Sequence, residues 1–464
     1  MAKIVILGAG LTGLSAAYHL EKKGFFDYKL FEKEYDVGGL CKSITQDGFI
    51  FDFTGHLLHI NDAYFLQFIK NVVGLEKFNH VARNSFIYSH GVHTNYPFQI
   101  NLYGLPETTI TECVEGFVRR KKQITPKNYY QWVLKHFGAG FGSHFFFPYQ
   151  QKIFAYDPRK LTHSWTGRFV PATTLGQIIR GATINSAESV GYNAHFYYPK
   201  KGGISLLVKN LAKQLLLPIQ KNFCATKINL QTKTVNFANG HTETFEQLIS
   251  TIPLDLLTKN IQDRSATNFY PAHKKLVCNS VLNFNLGIRR EHLSEKSWVY
   301  YPEKQFPFYR IGFPHTFSKK MVPPGNSSLY GEVSYIGKPP TNCLPEALAA
   351  TKKLFGLTKQ EIKTEVILHL KHAYVIYNQW REKHLESLLD QLATENIHSV
   401  GRYGAWKYAS MQEAVLDGKQ VAEKVLDPPC SFANNPSPRL RPIGATEDTA
   451  GKASDRSNAN KQKN

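Results

Sequence analysis

The stretch "KIVILGAGLTGL" (residues 3–14) leaves this chain few folds to choose from. A short apolar run meets Gly8-Ala9-Gly10-Leu11-Thr12-Gly13. A segment then follows with Leu14, Ala17, Tyr18 and Leu20 at helical spacing. That order predicts a buried strand, a tight turn and a helix. Small residues in the turn let backbone approach a pyrophosphate, which then rests on the helix N-terminus. Glu32 closes the next strand, "YKLFEKE", about 20 residues on, where a carboxylate grips a ribose hydroxyl. The expected class is α/β, with a Rossmann-like dinucleotide domain. Its candidate cofactor-binding residues are Gly8, Gly10, Leu11, Thr12, Gly13, Glu32 and the adjacent Lys33.

Two further segments select the dinucleotide. Gly38-Gly39-Leu40-Cys41-Lys42-Ser43 can run a second loop beside the cofactor, with Lys42 and Ser43 facing its phosphates. A nicotinamide fold needs no such loop, so FAD is the expected cofactor. At the far end, "GRYGAWKY" (401–408) brings Gly401 and Arg402 toward a phosphate or a substrate. The helix that begins near Met411 then aims its N-terminus at the isoalloxazine carbonyl edge.

The chain between these ends is long. With 464 residues it exceeds one ordinary core and suggests two or three domains. "GFIFDFTGHLLHI" (48–60) alternates as a strand and meets a Gly-His turn. Residues 105–190 read as helical, and "HFYYPKKGGISLLVKNLAKQLL" (195–216) as a turn leading into a helix. Residues 225–251 read as a β-meander with an Asn-Gly hairpin at 239–240. Strand signals dominate 275–380, with one helix near 344–355. The resulting division places a discontinuous FAD-binding domain at 1–85, 200–272 and 396–427. It is interleaved with a mainly helical substrate or cap domain at 86–199 and an antiparallel-sheet substrate domain at 273–395. The tail 428–464, rich in Ser, Asn, Pro and Lys, is expected to be disordered.

Composition narrows the partners. The net charge of +20 invites a nucleic-acid reading, but the basic residues are dispersed and only "RRKK" (119–122) is dense. An anionic small substrate, or loose contact with an anionic membrane face, fits better. Six cysteines without a CxxC pair predict reduced thiols, and no cluster has metal-ligand spacing. No apolar run approaches the roughly 18–20 residues that span a bilayer, and "MAKIVILGAG" does not read as a signal peptide. The expected location is cytoplasmic.

These motifs resemble the FAD amine-oxidase/protoporphyrinogen-oxidase-like superfamily. Within it, "NYPFQINLYGLP" (95–106), "HSWTGRFVPA" (163–172), "GYNAHFYYPKKGG" (191–203), "SWVYYPEKQFPFYRIGF" (297–313) and "GRYGAWKY" look like UDP-galactopyranose mutases of the eukaryotic type. The resemblance implies an intramolecular transferase, an isomerase acting at reduced FAD. It would interconvert the pyranose and furanose forms of a nucleotide-bound hexose with no net redox, for glycan biosynthesis. It also implies NAD(P)H or another reductant as electron source.

Residue roles follow from the resemblance. Arg310 and Arg402 match cations on the diphosphate, where guanidinium groups bind phosphate in a bidentate fashion. Tyr300 and Tyr408 match phenols on the same group, with Tyr374 a third. Tyr96, Phe98 and Gln99 match a uridine pocket. Arg168 matches a sugar-facing or flavin-facing cation, and Asn193 a group near the sugar or flavin. His56, with Gly55, matches the histidine turn beside the isoalloxazine. Three departures stand out. Thr54 occupies a turn position that is usually glycine, so a redox-linked loop movement there is expected to change. Gln150 and Phe154 replace the usual Asn and Trp, which points to a different nucleotide sugar or another reaction on one.

Two other readings stay open. One is an FAD oxidase, dehydrogenase or desaturase of the superfamily, in which the Arg/Tyr set has no evident task. The other is an inert flavin-fold scaffold.

Overall fold

The computed structural model describes residues 4–168, 170–185, 194–261 and 269–426, the side chains of Arg168 and Tyr270 apart. Asn193 and the tail 428–464 lie outside the described residues.

The strand Ile4–Leu7 is buried along its whole length, as a strand covered on both faces must be. It is the middle of a five-stranded parallel sheet in the order Ile397–Ser399, Gln247–Ser250, Ile4–Leu7, Tyr28–Glu32, Ile219–Lys221. Helices Leu11–Lys22, Ser205–Gln214 and Met411–Leu426 cover one face through Leu14, Leu207, Val415 and their neighbours. The other face packs through Phe31, Leu248 and Trp406 against a three-stranded antiparallel sheet and the helix Gln379–Thr394. The expected meander supplies that sheet as Ala225–Asn229, Thr234–Phe237 and Thr242–Thr244, after which Gln247–Ser250 leaves it for the parallel sheet.

A second, seven-stranded sheet runs Ile362–Leu370, Ser280–Ile288, Ser327–Tyr335, Arg310–Gly312, Trp298–Tyr300, Ser85–Ser89, Val92–Asn95. It is antiparallel except where Trp298–Tyr300 runs parallel to Ser85–Ser89. Helices between Glu107 and Thr183 close one side with a core rich in phenylalanine and tyrosine. In that layer, a π-helical turn at Gly142–Phe146 joins Gly138–Phe141 to the helix Phe147–Phe154. Among the described residues no helix is long and apolar enough to cross a membrane.

One local expectation fails. "HFYYP" is not a turn but a strand, His195–Pro199, paired antiparallel with Phe78–Ala82. Its partner lies more than a hundred residues earlier, and the Pro-Lys-Lys-Gly-Gly that follows gives the stronger local signal.

The two chain ends meet where Leu11–Lys22 crosses Met411–Leu426. At Gly418 an added Cβ would stand 2.5 Å from the Thr12 carbonyl oxygen and 2.8 Å from the Ala16 nitrogen. Gly418→Ala must therefore part the helices that carry the first and last cofactor-binding segments. Thermal denaturation is expected to show a loss of about 1–3 kcal/mol, with reduced flavin content. A variant of wild-type stability and colour would contradict this packing.

Candidate active site

The helix Leu11–Lys22 starts without a side-chain cap and without an acidic residue in its first turn. The amides of Leu11, Thr12 and Gly13 take no acceptor among the described residues, so they present donors to an anion. Glu32, 6% exposed, braces the loop, with Oε2 accepting the Ala9 amide at 2.8 Å and Oε1 the Glu34 amide at 3.0 Å. The second glycine loop is stitched to the first. Gly38 donates to the Ala9 carbonyl at 2.8 Å, and a Cβ on Gly39 would meet the Gly10 Cα at 3.4 Å. Gly38 and Gly39 both have positive φ, +116° and +58°. A side chain at Gly39 would fill the groove between the loops, and one at Gly38 would run into Val208 at 2.8 Å, so the glycine pair suits the close approach of a dinucleotide phosphate.

That groove belongs to a cavity of about 1140 Å³, above the usual range of roughly 300–1,000 Å³ for one ligand. Its wall includes Gly8, Gly10, Leu11, Thr12, Glu32, Lys33, Gly38, Gly39, Leu40, Lys42, Gly55, His56 and Met411. It continues past Arg402 and Tyr408 to Tyr96, Gln99, Tyr300, Arg310 and Tyr374. The structure thus gathers most of the expected residues around one space.

Four expected residues stand behind the wall. A Cβ on Gly13 would meet the Gly8 carbonyl oxygen at 1.9 Å, so this glycine seats the helix on the loop. Gly401 packs against Thr12, whose Oγ1 an added Cβ would approach to 2.6 Å. Ser43 turns away, donating to Asp52 Oδ1 at 2.6 Å and accepting the Ser205 amide at 3.1 Å. Phe98 is fully buried and stacks on Phe145 at 5.1 Å between ring centroids, so it is core rather than a face for a base. Arg168 ends a 3-10 turn, Thr166–Arg168.

The two arginines differ. Arg310 does not offer a free fork, because its Nε and Nη2 donate to Glu332 Oε2 at 2.5 Å and Oε1 at 2.9 Å. Glu332 is fully buried, so this edge of the guanidinium is committed to its carboxylate and only the Nη1 side remains for a ligand. Arg402 donates from Nη1 to the Ala409 carbonyl at 2.9 Å and from Nη2 to the Ala373 carbonyl at 3.2 Å. It lies 4.6 Å from the Tyr408 ring centroid and has no carboxylate partner among the described residues. An uncompensated cation at a cavity wall favours an anionic ligand.

His56 feels both cations. Burial pushes its imidazole down to about 4, with repulsion from Arg402 and, less, Arg310. The Thr54 and Phe53 backbone draws it the other way, yet Nδ1 is buried without a partner at hydrogen-bonding geometry. The imidazole is therefore neutral at pH 7. Thr54, two residues before it, has φ +74°. The expected mismatch is real but runs opposite to a simple exclusion: threonine does take the left-handed conformation that favours glycine, under strain.

Several wall residues have no role in the sequence reading, though Trp165 lies within one of its quoted motifs. Arg83 lies over the Tyr96 ring at 5.1 Å to the centroid, and Glu332, Tyr149, Trp165 and Tyr377 also line the cavity. Aromatic contacts link Tyr300 to Tyr96 at 5.4 Å and to Tyr149 at 5.3 Å. Gln99 donates from Nε2 to the Pro171 carbonyl at 3.0 Å. Gln150, only 8% exposed, leaves Oε1 without a partner. An alternating pattern could have placed Glu332 on a strand face, but nothing local marks it as the partner of Arg310.

A family profile described as flavin containing amine oxidoreductase matches residues 11–426. Among solved structures, reduced UDP-galactopyranose mutase is similar at a TM-score of 0.86 and 28% identity, over 92% of this chain and 96% of that one. Among curated proteins, 4,4'-diapolycopene oxygenase of Methylomonas sp is 40% identical over 90 residues, 18% of this chain and 18% of that protein. 4,4'-Diapophytoene desaturase of Staphylococcus aureus (strain COL) is 39% identical over 62 residues, 13% of this chain and 12% of that protein. The chain thus spans less than a fifth of these curated relatives' length. FAD is the cofactor that the cradle and the family share.

Two measurements probe the histidine turn. Thr54→Gly removes the left-handed strain at the cost of a looser unfolded chain, and a net gain of about 1 kcal/mol is expected in urea denaturation. A loss would show that the threonine is not strained. For His56 the folded pKa lies below the unfolded value of 6.5, so the unfolded state binds the proton first as pH falls. Stability from the neutral ring is complete above pH 6.5 and is lost on acidification toward pH 4. Relative to His56→Asn, the wild type is therefore expected to lose ~3 kcal/mol across that window. Parallel pH curves for the two proteins would refute a buried neutral imidazole.

Proposed function

Because the chain belongs to the flavin containing amine oxidoreductase family, we propose that it is a flavin-dependent mutase. It would interconvert the pyranose and furanose forms of a nucleotide-activated hexose, a UDP-hexose in the first instance. The observation that carries this reading is Arg402, a cation without a counter-carboxylate among the described residues, on the same cavity wall as the flavin cradle. Reduced FAD, when bound, supplies an electron-rich centre to the anomeric carbon, and NAD(P)H or another reductant would charge it.

The protein's part is binding and orientation. Arg402 would hold the diphosphate and stabilise the charge that grows on it as the sugar bond breaks. Arg310 would contribute through its Nη1 side, its charge moderated by Glu332. The phenols of Tyr300, Tyr374 and Tyr408 would donate to the same oxygens. Tyr96, Gln99 and Gln150 would form the nucleobase end. Gln150 and Phe154 line that end and would set the room available. His56 would stay uncharged and so add no third cation to the diphosphate.

A second reading is an FAD oxidoreductase of the desaturase or oxidase type, motivated by the short matches to such enzymes. An extended apolar substrate would leave Arg402 desolvated against carbonyls alone, which disfavours it.

The test separates the two. Calorimetric titration of UDP into the wild type and Arg402→Ala is expected to show a loss of about 2 kcal/mol, the scale of a charge-assisted contact. Arg310→Ala is the poorer probe, because it strands a buried Glu332 and threatens the fold. Dithionite-reduced protein with UDP-galactopyranose should yield the furanose. Absence of UDP binding together with peroxide release or flavin bleaching by a polyene would overturn the mutase reading.

A further inference from the structure

Arg381 does not itself line the cavity, yet its contacts lead straight to residues that do. Its Nε donates to the Trp406 carbonyl at 2.9 Å, and its guanidinium lies over the Tyr377 ring, 3.8 Å from the centroid. Trp406 is fully buried and has φ +49°, a conformation that a bulky side chain keeps only when its surroundings enforce it. Tyr377 in turn accepts the Tyr408 amide on its phenol oxygen at 2.8 Å. The Tyr408 ring sits 4.6 Å from the Arg402 guanidinium. One guanidinium thus holds the segment Arg402–Tyr408 twice, at the Trp406 carbonyl directly and at the Tyr408 amide through Tyr377.

The same hub reaches a further wall residue. The Tyr377 carbonyl accepts the Thr162 amide at 2.7 Å and its hydroxyl at 3.1 Å. The Thr162 carbonyl accepts Trp165 Nε1–H at 2.8 Å, and Trp165 lines the cavity. Arg381 is itself fixed at the start of the helix Gln379–Thr394, where Asn378 Oδ1 accepts its amide at 2.9 Å.

We propose that Arg381 is a positioning residue that sets the anion-binding geometry of Arg402 and Tyr408 through Trp406 and Tyr377. A guanidinium suits the task because it stacks flat on a ring while its in-plane Nε–H reaches a carbonyl, and an ammonium cannot do both. The proposal rests on the nucleotide reading only for the choice of UDP as probe.

The test uses FAD-loaded protein titrated with UDP and with inorganic pyrophosphate. Arg381→Met is expected to weaken both by about 10-fold. In an Arg402→Ala background the same change should cost no more than about two-fold, because the cation it positions is gone and only Tyr408 remains to be misplaced. Arg381→Lys should remain weak. Equal losses in both backgrounds, or full rescue by lysine, would overturn the proposal, the second because it would reveal a long-range charge effect. Should Arg381→Met not fold, Tyr377→Phe tests the same coupling, with loss expected in the wild-type background alone. If neither anion binds the wild type, the nucleotide reading falls and the positioning claim is read from hydrogen exchange. The amides of residues 402–408 must then exchange faster in Arg381→Met, and unchanged exchange rejects the claim.

Discussion

A guanidinium lodged against backbone carbonyls, with no carboxylate among the described residues to neutralise it, is the constraint around which this cavity is organised. Arg402 is held by the carbonyls of Ala409 and Ala373 and flanked by aromatic rings. Carbonyl dipoles and ring faces stabilise a cation in part, but they do not cancel its charge. The remaining field falls on whatever enters the space. It adds to burial, the larger cause, in keeping the neighbouring imidazole neutral. It also explains why the site tolerates a second arginine only as an ion pair with Glu332. Two bare guanidinium groups in one wall would repel each other in a medium that screens poorly.

The same arrangement divides labour between the two ends of the chain. The N-terminal loops offer backbone amides to one anion, the cofactor's pyrophosphate. The C-terminal segment places the Arg402 guanidinium on the same cavity wall. Both depend on the close crossing of the first and last helices, where glycine at position 418 lets backbones touch. The cavity is thereby built from residues hundreds of positions apart, and on the mutase proposal it would take two phosphate-bearing molecules.

How much of this was written locally in the chain differs by residue. The glycine loops and Glu32 were legible because a phosphate cradle demands small residues at fixed spacing after a strand. Arg402 was legible because Gly401 and Gly404 bracket it in a recognisable turn. Arg310 was found, but its partner was not: Glu332 sits on an adjacent strand, and strand register is a tertiary property. Ser43 and Phe98 were misjudged for a related reason. Their segments were identified correctly, but which way a side chain faces in a short loop depends on neighbours such as Asp52 and Phe145. The strand His195–Pro199 was missed because its pairing partner is remote and its own end resembles a turn.

The π-helical turn at Gly142–Phe146 has a consequence for how this wall can change over time. Before it, Gly138–Phe141 packs against the helix Glu107–Val118; after it, Tyr149, Gln150, Ile153 and Phe154 face the cavity. An α-helix turns about 100° per residue, so the inserted residue works as an indexing step between two faces that serve different masters. Removing one residue there would leave the scaffold side seated and rotate the whole ligand-facing set away. Insertion and deletion at this turn, rather than point substitution, is the route by which such a scaffold could exchange one pocket lining for another in a single event.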